Sequence, residues 1–168
     1  MEAVFVAFDG FDARERLYVV QRLREEDVTV KFAVAGEDVH DSEGEPLVSD
    51  VDLEDEGVYD LVHVSDGNPA DDELKRGAEF VRRNSEEGAF VTAVGEGVRV
   101  LVKAGVAEDR QVAAAGETAD AVEEEGGRAY DEPVVVDAKF VTARGGDDLP
   151  VFGGDLVRKL RRARVKDL

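Results

Sequence analysis

Residues Ala89–Lys103, AFVTAVGEGVRVLVK, hold the pattern that decides the fold. Ala89 to Val94 is a short uncharged run containing Val91, Thr92 and Val94, the composition of a strand buried on both faces. Gly95-Glu96-Gly97 breaks it, and Val98 to Lys103 then reads as a short helix. A buried strand passing through a glycine bend straight into a helix belongs to a parallel sheet with helical crossovers.

The same alternation extends in both directions. Ala3 to Phe8 reads as a strand, Asp9-Gly10 as a turn, and Asp12 as the N-cap of a helix to about Glu25 with Leu17, Val20 and Leu23 on its inner face. Val28 to Val34 is a second strand, stopped by Gly36. The acidic stretch Glu37–Gly57 carries Leu47, Val48, Val51 and Leu53, so a small hairpin or edge excursion is expected rather than a free linker. Leu61 to Ser65 is a third strand, and Asp71 to Arg83 a helix with acids at its start and arginines at its end. Beyond Lys103, Gln111 to Ala114 reads as a strand and Thr118 as the cap of a helix to Glu125. Val134–Val136 and Phe140–Thr142 read as a hairpin-like pair, and Asp147 to about Arg162 as the terminal helix. The expected architecture is one α/β domain over residues 1–168, with a mainly parallel central sheet and helices on both faces. Ligand sites in such sheets lie at the carboxyl ends of the strands, here the loops after Phe8, Ser65, Val94 and Ala114.

Composition narrows the function. Forty acidic residues against 21 basic ones give a formal charge of -19, spread over every segment. Such a surface is tolerated best where counterions screen it, which points to a salt-rich cytoplasm, and it argues against nucleic acid as a partner. The chain has no cysteine, which excludes disulfides, thiolate zinc sites and thiol catalysis. Met1 to Phe8 lacks the basic start of a signal peptide, and no apolar run is long enough to span a membrane, so a cytoplasmic location is expected. No spacing of His, Asp and Glu matches a zinc motif, and no cofactor or metal is expected. His63, between Val62 and Val64, reads as a packed strand residue, and His40 as solvated. Arg158, Arg161, Arg162, Arg164 and Lys166 form a basic cluster, read as a solvated helix end.

Several loops resemble one family. Ala93-Val94-Gly95-Glu96-Gly97 resembles the nucleophile elbow of the ThiJ/PfpI superfamily, whose usual form Ala-Ile-Cys-His-Gly places the cysteine at Gly95 and the following residue at Glu96. Phe8-Asp9-Gly10-Phe11-Asp12-Ala13-Arg14-Glu15 resembles the first-strand loop, with Glu15 at the family's pocket glutamate. Tyr59-Asp60-Leu61-Val62 followed by Asp66-Gly67-Asn68 resembles the approach to the Gly-Gly oxyanion turn, with Asp66 in place of the first glycine. The tail, from Tyr130 through Asp137 and Phe140 through Gly145 to Asp148–Phe152, is similar to the PfpI-like pattern, and Arg144 before Gly145 matches the family's Thr-Ser-Arg-Gly turn, here Thr142-Ala143-Arg144-Gly145.

The resemblance implies a flavodoxin-like three-layer sandwich, related to class I glutamine amidotransferases, and a homodimer. It also implies that the thiol site is degenerate. Gly95 offers no nucleophile, and Ala113-Ala114-Ala115 stands where many relatives carry the partner histidine. Two functional expectations follow. The first is a non-catalytic protein with a binding, structural or stress-related role, taking a small metabolite or a cation in its pocket. The second is a cysteine-independent hydrolase or lyase-like enzyme in which Glu15, Glu96 and Asp66 converge beside Gly67 and Glu15 or Glu96 acts as general base.

Overall fold

β1 (Glu2–Ala7) is the second strand in from one edge of a six-stranded sheet, and its alternating side chains divide the core in two. Val4 and Val6 face one side and Ala3, Phe5 and Ala7 the other, all buried. The computed structural model describes residues 1–166. The remaining strands of the sheet are β2 (Thr29–Val34), β3 (Leu61–Val64), β4 (Phe90–Val94), β7 (Val134–Asp137) and β8 (Phe140–Ala143), in the order β2-β1-β3-β4-β8-β7. All neighbours are parallel except β7, which runs antiparallel at the edge beside β8. The α/β, flavodoxin-like architecture is as the sequence implies.

One face is covered by α2 (Asp71–Glu86), α3 (Val98–Lys103) and α4 (Gly116–Glu124), which pack side by side. Their Phe80, Val98, Leu101 and Val122 close over Val4, Val62 and Val64. The other face carries α1 (Arg22–Glu25), entered through a π-helical turn Arg16–Gln21, and α5 (Leu149–Lys166). Val19, Val20 and Leu23 there meet Phe152, Leu156 and Leu160.

The structure departs from the sequence reading in four places. The first helix does not run from Asp12, and Leu17 is 55% exposed rather than inward. The π turn holds more residues than an α turn, which rotates Val19 and Glu15 inward and Leu17 out. Segment 37–57 contains no named strand: it is an irregular excursion held by the bridges Phe11–Asp41 and His40–Pro46, with Val39 and Leu53 buried and Val48 exposed. Thr118 is no cap, since Ala115 precedes α4 and the Thr118 hydroxyl donates to Glu96 Oε1. A further strand, β6 (Arg128–Tyr130), pairs in parallel with β5 (Gln111–Ala113) as a separate two-stranded sheet. No helix among the described residues is long and apolar enough to cross a membrane.

The decisive stretch forms as read. β4 ends at Val94, Gly95–Gly97 makes one 3-10 turn, and α3 begins at Val98. Gly97 lies so close to β3 that a Cβ there would stand 2.6 Å from the carbonyl oxygens of both Val64 and Ser65. Backbone atoms cannot yield as side chains do, so Gly97→Ala should cost about 2–4 kcal/mol of stability, read as a lowered urea midpoint with unchanged m.

Candidate functional site

The bend after β4 places Gly95 at the carboxyl edge of the sheet with φ +56°, a left-handed conformation that glycine adopts without strain. Beside it is the end of β3, and the loop after β1 supplies Glu15 from below. These are the loops singled out by the sequence.

Asp66 dominates the geometry. A Cβ built on Gly95 would stand 2.8 Å from both Cγ and Oδ1 of Asp66 and 3.0 Å from Oδ2. The carboxylate of Asp66 therefore stands where a side chain at position 95 would project, and it would have to leave its two N–H donors to admit one. Its Oδ1 accepts two backbone N–H bonds, from Glu96 at 3.0 Å and from Gly67 at 2.9 Å. Donors turned inward at such an elbow can stabilise an oxyanion, and here they hold an internal carboxylate. Among the described residues, Oδ2 has no hydrogen-bond partner. Burial raises the pKa of Asp66 above its ordinary value; the two N–H bonds oppose the shift, and the charges of Glu96 and Asp12 add to it.

Glu15 lies directly behind Asp66 and is fully buried. Its Oε2 accepts the Asp66 N–H at 3.2 Å, and its Oε1 lies 2.8 Å from His63 Nε2. His63 Nδ1 in turn lies 2.8 Å from Thr92 Oγ1, its register partner on β4. Burial pushes the Glu15 carboxyl well above the ordinary range, and the Asp66 charge pushes it further. Burial also lowers His63 to about 3, so the imidazole is neutral near pH 7. Either imidazole tautomer satisfies the polar atoms, and burial favours the one with no charge: protonated Glu15 donates to Nε2, and Nδ1–H donates to Thr92. The buried chain Glu15–His63–Thr92 is then uncharged throughout.

The expected convergence of three acids is met by two of them. Glu15 and Asp66 are neighbours, but Glu96 contributes its backbone N–H to the site and turns its side chain away, toward Thr118 and Arg99. Among the described residues no group of three or more His, Asp or Glu side chains is arranged to hold a metal ion. Ala113 and Ala114 are buried and Ala115 exposed, with no polar side chain in that segment. At the rim, Arg144 binds Asp131 at 2.9 Å and Asp148 at 3.2 Å, holding carboxylates as expected of it. His40 is exposed, also as expected.

His63 is packed as predicted, but its pairing with Glu15 was missed. The available signal was the polar residue in the middle of each of two successive apolar strands, Leu61–Val64 and Phe90–Val94.

The Glu15 protonation state has a measurable consequence. Glutamine can replace a protonated glutamate atom for atom here, accepting the Asp66 N–H and donating to His63. Glu15→Gln should therefore keep native stability within about 1 kcal/mol below pH 4.5, where the acid is protonated folded and unfolded alike, whereas Glu15→Ala leaves two buried groups unpaired and should cost about 2–4 kcal/mol there. The raised folded pKa means that the contribution of Glu15 is complete below its ordinary value of 4.5 and is lost as pH rises toward the folded value. Urea titrations across that range should show Glu15→Gln gaining on the native protein as pH rises, at up to about 1.4 kcal/mol per pH unit. A flat difference would contradict the assignment.

Comparison with known proteins agrees with this geometry. The DJ-1/PfpI family matches residues 1–159. An uncharacterised protein of Archaeoglobus fulgidus is 31% identical over 167 residues, covering 96% of this chain and 99% of that protein. A deglycase of Thermococcus kodakarensis is 25% identical over 177 residues, covering 96% and 100%. Among solved structures, a ThiJ/PfpI domain protein of Brachyspira murdochii superposes with a TM-score of 0.84 at 18% identity, covering 96% of each chain. With an elbow after β4, an acid behind it and a match along nearly its whole length, this chain belongs to the DJ-1/PfpI family.

Proposed function

We propose that this chain is a non-catalytic member of the DJ-1/PfpI family, with a binding or structural role in a salt-rich cytoplasm, and that it works as a homodimer. One observation carries the first part: the Asp66 carboxylate lies where a side chain at position 95 would project and takes the N–H of Glu96 for itself. Thiol loss alone could be reversed by one codon. Here the neighbouring position has also changed, so that nucleophile space and oxyanion donors are both occupied from within. The Glu15–His63–Thr92 chain then serves as a neutral buried support for the turn.

A second reading rests on Asp66 Oδ2, the carboxylate oxygen without a partner among the described residues. In that reading it acts as a general base whose affinity for a proton is increased by burial. Glu15 has no exposure through which to reach a substrate, and the Glu96 side chain is engaged elsewhere, so Asp66 replaces both as the candidate base.

The two readings separate in a deglycation assay on a glycated peptide, run with the native protein and Asp66→Asn. The first expects no turnover above buffer from either. Turnover by the native protein that falls about 100-fold or more in Asp66→Asn would overturn it in favour of the second. A thiol-labelling experiment tests the occupied space directly. In Gly95→Cys the new side chain meets the Asp66 carboxylate and a strained φ, so the protein should lose stability and its thiol should label slowly. Asp66→Gly combined with Gly95→Cys removes the obstruction and should label about tenfold faster or more, with a lower thiol pKa. Equal rates would show that Asp66 does not occupy the site.

A further inference from the structure

At the opposite, amino-terminal edge of the sheet lies a groove of about 820 Å³ between the β7–β8 turn and the end of α5. Phe90, Ala138, Ala163 and Val165 contribute apolar surface, and Lys139, Lys159, Arg161, Arg162 and Lys166 supply charge. Among the described residues, no acidic one lines it. On a chain with about twice as many acids as bases, that is contrary to expectation. The next groove, about 590 Å³, mixes Glu54, Glu56 and Glu79 with Lys75, Arg76 and Arg83.

Ion pairing adds a weaker contrast, since Lys75 and Lys103 outside the groove also have no carboxylate within 4.0 Å among the described residues. Most arginines elsewhere have a carboxylate partner: Arg14 has Asp12, Arg76 has Glu54 and Arg144 has Asp131. In the groove Arg161 turns to Glu26, but Lys159, Arg162 and Lys166 have no carboxylate within 4.0 Å among the described residues. The helix dipole favours cations in the last turn of α5, yet it does not account for Lys139, which comes from a different element and lies over the Phe90 ring at 5.3 Å. Unpaired cations grouped beside apolar surface, within a strongly negative field that would otherwise repel anions, describe a local anion receptor.

We infer that this groove binds a small organic polyanion, two or more phosphate or carboxylate groups on an apolar body. The charges would meet Lys159, Arg162 and Lys166, and the body would lie along Ala138, Ala163 and Val165. The site is independent of the Asp66 elbow and stands whichever reading of that elbow holds.

ATP serves as probe, with tripolyphosphate as the control lacking an apolar body, in titration calorimetry on the full chain at about 0.2 M KCl. Saturable ATP binding with Kd of about 1 mM or tighter is expected, and tripolyphosphate should bind more weakly. Lys159→Glu with Arg162→Glu should weaken ATP binding about tenfold or more, while Lys75→Glu with Lys103→Glu, equal in net charge change but elsewhere on the surface, should leave it nearly unchanged. Absence of saturable binding overturns the inference, as does an equal loss in the two double variants, which would reflect global charge alone. Tripolyphosphate binding as tightly as ATP overturns the role given to the apolar surface. If the groove variant instead changes sedimentation without changing ATP affinity, the groove is a contact between copies and the inference fails.

Discussion

A carboxylate held by two backbone N–H groups organises the functional edge of this molecule. Asp66 Oδ1 joins the turn after β3 to the turn after β4, because Gly67 and Glu96 lie on different loops and both donate to it. Glu15 extends the link to the loop after β1 through the Asp66 N–H. Three loops at the carboxyl edge of the sheet are thereby tied to one another. Burying an anion is costly unless such donors surround it, and here burial raises the pKa of Asp66 while the two N–H bonds oppose the shift. The two backbone donors thus stabilise the folded state by holding this carboxylate.

The fold was legible in the sequence because buried parallel strands are nearly continuous apolar runs, and Val4–Val6, Leu61–Val64 and Phe90–Val94 are of that kind. β6, Arg128-Ala129-Tyr130, was not legible, since a short strand with two exposed residues has neither alternation nor a buried run. The 37–57 excursion was legible as ordered, because Leu53 requires a hydrophobic environment, but its hydrogen bonding follows no repeating pattern a sequence could signal. Leu17 was placed inside by counting at the ordinary helical period, which fails wherever the winding changes.

The elbow was legible to the level of its backbone. Gly95-Glu96-Gly97 after an apolar run fixes a bend, and Glu15 was correctly placed behind it. The Asp66 carboxylate could not be assigned to the vacated side-chain space, because a side-chain direction depends on which loop lies beside which. That follows from the β3–β4 register, not from local composition. Reading Asp66 as a substituted oxyanion glycine that converges with Glu15 and Glu96 captures its position and its neighbour Glu15, but not its contact with the elbow at Gly95 and the Glu96 N–H.

The π-helical turn Arg16–Gln21 governs which face of the first helix looks inward. Its wide winding amounts to one residue more than a regular α-helix would need over the same length. The acid at its start and the valines at its centre therefore share an inner side, while the intervening leucine is left outside. The segment thus has an insertion's signature: a chain shortened by one residue there could wind regularly. Restoring the regular period would swing the carboxyl group away from its imidazole partner, so this helix's irregularity, not its amino-acid propensities, keeps the interior acid in place.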